Sequence, residues 1–93
     1  MKKTNSHKLA KKLGISKARG MEAVIKAELI SAVLDAAERK NMTHVEIAER
    51  SGLPRSAVTG ILSGSLQKVT IDRILRLVEA VALVAKVDVK KAA

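Results

Sequence analysis

The chain is 93 residues long with a formal net charge of +9, 29% charged residues, and no Cys, Phe, Trp or Tyr. That length sets a single small domain. The missing cysteines exclude disulfides and thiolate metal sites, and fit a reducing compartment. The missing aromatics count against single-strand and RNA modules that stack bases on rings, and against Trp- or Phe-anchored membrane helices.

The charge is uneven. Lys2, Lys3, Lys8, Lys11, Lys12, Lys17 and Arg19 face no acid within residues 1–20, so this fifth of the chain carries +7. The later segments are nearly neutral. We expect residues 1–20 to be a basic tail or lead-in, solvated or steering the chain toward a polyanion. No apolar run approaches the roughly 20 residues that span a bilayer. No apolar segment follows the basic start, so we expect no signal peptide and a cytoplasmic protein without a membrane partner.

Within that lead-in, "LAKKLGISKARG" (Leu9–Gly20) matches "IAERSGLPRSAV" (Ile47–Val58) at a spacing of 38 residues. Leu9, Ala10, Gly14 and Ile15 share the pattern. The match fails at Gly20, which stands where Val58 should lock a second helix. No cap and no continuing apolar stripe accompany it. The early copy therefore supplies charge, not a second reading unit.

Glu22–Lys40 reads as a helix with Ile30, Val33, Leu34 and Ala37 on one face. Asn41 is placed to stop it in a left-handed conformation. Thr43-His44-Val45-Glu46 has the capping-box form and opens the next helix. Gly52 ends that helix. Pro54 begins a third helix with Val58, Ile61 and Leu62 as its inner stripe. Ser63-Gly64-Ser65 closes it. Thr70 caps a fourth helix, with Asp72 in its first turn and Ile71, Ile74, Leu75 and Val78 as its core face.

The end of the chain, "VALVAKVDVK", alternates. Leu83, Ala85, Val87 and Val89 fall on one side, opposite Lys86, Asp88 and Lys90, which predicts a strand. A lone strand needs a partner, and the simplest is the same strand of a second copy. Ala82, Ala85 and Lys86 would also allow the helix to run on to about Val87.

Met42–Gly64 carries the functional signal. Ala48, Gly52 and Val58 lie four and six residues apart, with Ile47, Leu53 and Ile61 completing the apolar set. A small residue lets the next helix cross close by, a glycine makes the turn, and a β-branched residue locks the second helix. This is helix-turn-helix spacing. Two histidines without cysteine make no zinc pattern, so we expect no metal or other cofactor. No nucleophile–base or paired-carboxylate set is present, and we expect no enzyme.

On these residues, with "LGISKARGMEAVIKAEL" before and "SGSLQKVTIDRILRLVEAV" after, the chain resembles the lambda-repressor-like, or XRE-type, helix-turn-helix family. It looks most like the branch of HigA-like antitoxins and short regulators. The resemblance spans about Glu22–Val81. It implies a mainly α bundle of four to five helices with a C-terminal strand pairing in a dimer. The domain plan is then 1–20 lead-in, 21–82 DNA-binding domain with its motif at 43–64, and 83–93 dimerisation strand and tail. It also implies a homodimer bound to a palindromic operator on double-stranded DNA, often repressing its own operon.

Carried onto this sequence, the second motif helix enters the major groove, with Arg55, Ser56 and Thr59 toward the bases. Thr43, His44, Ser63 and Lys68 are placed for the backbone. Leu83, Val84, Ala85, Val87 and Val89 form the dimer strand. Three positions depart from the family: Pro54 removes a side-chain cap, Gly60 shortens a contact position, and His44 replaces the usual glutamine. Arg55 and His44 each have a plainer reading as solvated surface residues. A second function the resemblance implies is neutralisation of a cognate RNase-type toxin by protein contact.

Overall fold

The structure, a computed structural model, describes residues 17–92. Among them lie four helices: α1 (Lys17–Arg39), α2 (His44–Ser51), α3 (Arg55–Leu62) and α4 (Ile71–Ala80).

Each helix end has a local cause. Asn41 adopts φ 52°. Its N–H donates to the Glu38 carbonyl at 3.2 Å, and the Met42 N–H donates to Ala37 at 2.9 Å. That left-handed cap satisfies the carbonyls that α1 would otherwise leave open. The capping box forms as expected: Glu46 N–H donates to Thr43 Oγ1 at 3.1 Å, and Thr43 N–H donates to Glu46 Oε1 at 3.3 Å. Gly52, at φ 75°, ends α2. Pro54 is the residue before α3 rather than its first, and supplies no side-chain cap. Thr70 Oγ1 accepts from the Arg73 N–H at 3.3 Å and starts α4.

α1 is helical from Lys17, the first described residue, so it is already formed before the expected start at Glu22 and takes in the last part of the lead-in. It runs along α4, and α2 packs on both α3 and α4. The core is wholly aliphatic: Ile30, Val33, Ala36 and Ala37 from α1, Ile47 from α2, Leu53 from the turn, Val58 and Ile61 from α3, and Ile74, Leu77, Val78, Ala80 and Val81 from α4 and its end. Helices α2 and α3 have eight residues each. Helices that short do not hold alone in water. Burying one Ile or Leu contributes about 1.5–3 kcal/mol, against about 1 kcal/mol for a cap. The core therefore holds α2 and α3 in place, and the caps set where they start and stop.

Two expected core residues face out. Leu34 is 43% exposed and Leu75 is 41% exposed. Ala36 and Leu77 take their places. In both helices an apolar residue lies on either side of the true stripe, and the sequence pattern admits both. The buried rows, Ile30–Val33–Ala37 and Ile74–Leu77–Val78–Val81, are the ones that α1 and α4 turn toward each other.

The expected C-terminal strand is absent from the described residues, and α4 does not run on to Val87. Helix α4 stops because Ala82 takes φ 62°. Ala82 N–H donates to Glu79 and Leu83 N–H to Val78, at 2.9 and 3.0 Å, the same left-handed cap as at Asn41. Beyond it the described residues, through Ala92, have no regular structure. A single chain offers that segment no ladder partner, so its alternating pattern has nothing to pair with. The Lys40 ammonium donates to the Val81 carbonyl at 2.6 Å and ties the ends of α1 and α4 together.

Candidate nucleic-acid interface

The unit that could read DNA is α2, the turn Gly52-Leu53-Pro54, and α3. Gly52 reverses the chain, and its N–H donates to Ala48 at 3.0 Å. Ser51 Oγ donates to the Ala48 carbonyl and accepts the Leu53 N–H at 3.2 Å. Buried Leu53 anchors the turn in the core. With Val58 and Ile61 also buried, α3 has a fixed inner face, and its rotation about its own axis is set.

The opposite face of α3 carries Arg55, Ser56 and Thr59, all exposed. Arg55 and Thr59 are four residues apart and share a row. Ser63 follows one turn on, and its hydroxyl donates back to the Thr59 carbonyl at 2.6 Å. Its hydrogen is thus used within the protein, and only its lone pairs face outward. Thr43 is exposed, but its hydroxyl serves the capping box and also lies 3.4 Å from Glu46 Oε1. The residues from Ser51 to Ile71 contain no acid, and Arg55 and Lys68 are their charges.

His44 opens α2 and reaches across to α3. Its Nδ1 lies 3.0 Å from Thr59 Oγ1. A residue expected at the backbone is thus bonded to one expected at the bases. The sequence contains a hint of this pairing, since both residues belong to the exposed set, but nothing in it fixes the distance.

A helix-turn-helix domain model matches residues 9–90. The chain belongs to the helix-turn-helix family. No curated protein and no solved structure matches it significantly. For a helix-turn-helix protein, the exposed face of α3 is the surface that points to DNA binding. Among the described residues no helix is long and apolar enough to cross a membrane.

One residue important to this surface escaped the sequence reading. Lys26 is buried on the core face of α1, one turn before Ile30. Its Nζ donates to the Leu66 carbonyl at 3.3 Å and pairs with Glu22 at 2.8 Å. Lys26 therefore pins the loop that carries Lys68 to α1. The two border an open groove of about 580 Å³, shared with Arg19 and Glu22. The Lys26 hydrogen bond and then its charge hold the Glu22 carboxyl below its ordinary range against desolvation, with the charge of Arg19 the weakest contribution. The one sequence sign was a lysine in phase with the apolar stripe.

The expected dimer residues divide. Leu83 packs against the core from a half-buried position. Val84, Ala85, Val87 and Val89 are exposed, the three valines at 86–87%.

Proposed function

We propose that this helix-turn-helix protein is a sequence-specific regulator of transcription that binds duplex DNA and represses its target, with its own operon as the natural candidate. The observation that carries this reading is the exposed row of Arg55, Ser56 and Thr59 on a helix whose other face is locked in the core. Arg55 would donate to guanine O6 and N7, while Lys68 and the basic lead-in would engage phosphates. No catalysis is involved, and the setting is the cytoplasm. The resemblance to XRE-type regulators and HigA-like antitoxins supports the same reading.

The binding form is a homodimer on a palindrome with half-sites about 34 Å apart. Residues 83–89 of two copies would pair antiparallel and cover the exposed valines. The deciding experiment is competition between a duplex selected from a random pool and its scrambled version. The selected duplex should win clearly, and equal competition would reject sequence-specific reading.

A second reading, as a toxin-neutralising protein, has a specific observation behind it. Met21, Val24 and Ile25 are large, exposed and on one side of α1 near its start. They offer apolar surface to a protein partner. Co-expression with the product of a neighbouring toxin gene should restore growth on this reading; continued growth arrest would reject it.

A further inference from the structure

His44 and Thr59 meet side chain to side chain from different helices, with Nδ1 and Oγ1 3.0 Å apart. A helical threonine often turns its hydroxyl to the carbonyl four residues back, as Ser63 does here. Thr59 turns to His44 instead, from an exposed position one turn after Arg55.

The chemistry of this pair is binary. A threonine hydroxyl has one hydrogen, a neutral imidazole has one donor and one acceptor nitrogen, and an imidazolium has two donors. The commoner neutral tautomer in water carries its proton on Nε2. Nδ1 then accepts the Thr59 hydrogen, and the Thr59 oxygen offers lone pairs alone to anything in front of it. A protonated Nδ1 donates to Oγ1 and frees the Thr59 hydrogen to point outward. Base edges in the major groove divide along the same line: adenine N6 and cytosine N4 donate, whereas guanine O6 and thymine O4 accept.

We propose that His44 is a specificity-determining residue acting through Thr59, setting whether that hydroxyl accepts from an amino base or donates to a keto base. The proposal rests on the reading of α3 as the groove helix. His44 is a positioning residue in this role and need not touch a base. The charged residues on its own helix and on the two helices packed against it are Glu46, Glu49 and Arg50 on α2, Arg55 on α3, and Asp72, Arg73, Arg76 and Glu79 on α4. Glu46 is bonded to Thr43, Asp72 pairs with Arg76 at 3.7 Å, and none of the eight bonds the imidazole. Thr59 is thus the ring's partner among the described residues, and a change at Nδ1 is passed to it directly.

The test is selection of bound duplexes from a random pool with the full chain and its variants, at one pH and equal salt. One position in each half-site should prefer an amino base in the natural chain, and that preference should relax by about fivefold in His44→Ala, the scale of one neutral hydrogen bond. The preferences at the other positions should stay unchanged. Thr59→Val should remove the preference at that position. Sequence-specific binding with the same preference in the natural chain and in His44→Ala overturns the proposal and leaves the DNA reading standing. No selected sequence for either chain overturns both.

Discussion

At the scale of single residues, Lys26 shows how a buried charge serves a surface. Its stem packs in the aliphatic core while its head reaches the Leu66 carbonyl and Glu22. Lys26→Ala should cost about 1–2 kcal/mol through lost stem packing and a lost charged hydrogen bond, read as a lower urea midpoint. Lys26→Met should keep the packing and lose less. Acid acts on the other end of the pair. Because the folded state depresses the Glu22 pKa, its contribution is present above the ordinary carboxylate range and is lost as pH falls through the depressed value. The acid-induced drop in urea midpoint should therefore be smaller in Glu22→Gln than in the natural chain. Arg55 lies at the same scale on the other side. Arg55→Ala should weaken binding to the selected duplex by about 1–3 kcal/mol and relax preference at one base position, measured by titration against single-base variants. A uniform loss across all variants would assign Arg55 to phosphate instead.

At the scale of elements, two helices carry small conformational costs that can be removed. Gly60 lies inside α3 with nothing within 4 Å of where a Cβ would sit, and it lacks a positive φ. Gly60→Ala should raise stability by about 0.5–1 kcal/mol through helix propensity alone. The reverse holds at the end of α4, where Ala82 sits at φ 62°, a left-handed position that costs a non-glycine residue about 1 kcal/mol. Ala82→Gly should be stabilising there and Ala82→Val destabilising, by thermal melts at matched concentration. If Ala82→Gly lowered the melting temperature, the left-handed cap would not be what stops α4. These opposite expectations for the same pair of residues follow from φ, which neither side chain reveals.

At the scale of the whole molecule, the open question is what covers Val84, Val87 and Val89. Three exposed valines in a ten-residue tail are apolar surface that a second copy would remove from water. Truncation before Val84 should yield a monomer in a sizing experiment while leaving the helical circular dichroism unchanged. An unaltered dimer would move the interface to another face, with the Met21, Val24 and Ile25 side of α1 the first to examine. Charge belongs to this scale as well. With +7 concentrated in the first 20 residues, removing residues 1–16 should lower the slope of log affinity against log salt. Base preference should stay the same, because that segment would meet phosphates and not base edges.

The end of α1, both ends of α2, the start of α4 and the reading unit are legible in the sequence because their causes are local. A capping box, an asparagine, a glycine and a proline each act within four residues of themselves, and Thr43, Asn41, Gly52 and Thr70 were read correctly. So were Val58 and Ile61, since the helix-turn-helix spacing fixes which face is inner. What escaped depended on partners distant in the chain. Leu34 and Leu75 were indistinguishable from core residues until α1 and α4 met and chose one stripe each. Lys26 falls in phase with the stripe of α1, but only the loop 40 residues later places a carbonyl over it. The His44–Thr59 contact joins two residues that the sequence could only mark as exposed. The tail's alternation predicted a strand, but a ladder is a property of two segments, and a single chain provides one. Amino-acid order alone determined where α1 ends, where α2 begins and ends, where α4 begins, and that α3 faces outward with Arg55, Ser56 and Thr59. Tertiary packing decided which stripe is buried and which side chains touch, because those are set by the relative positions of helices and not by any residue's own preference.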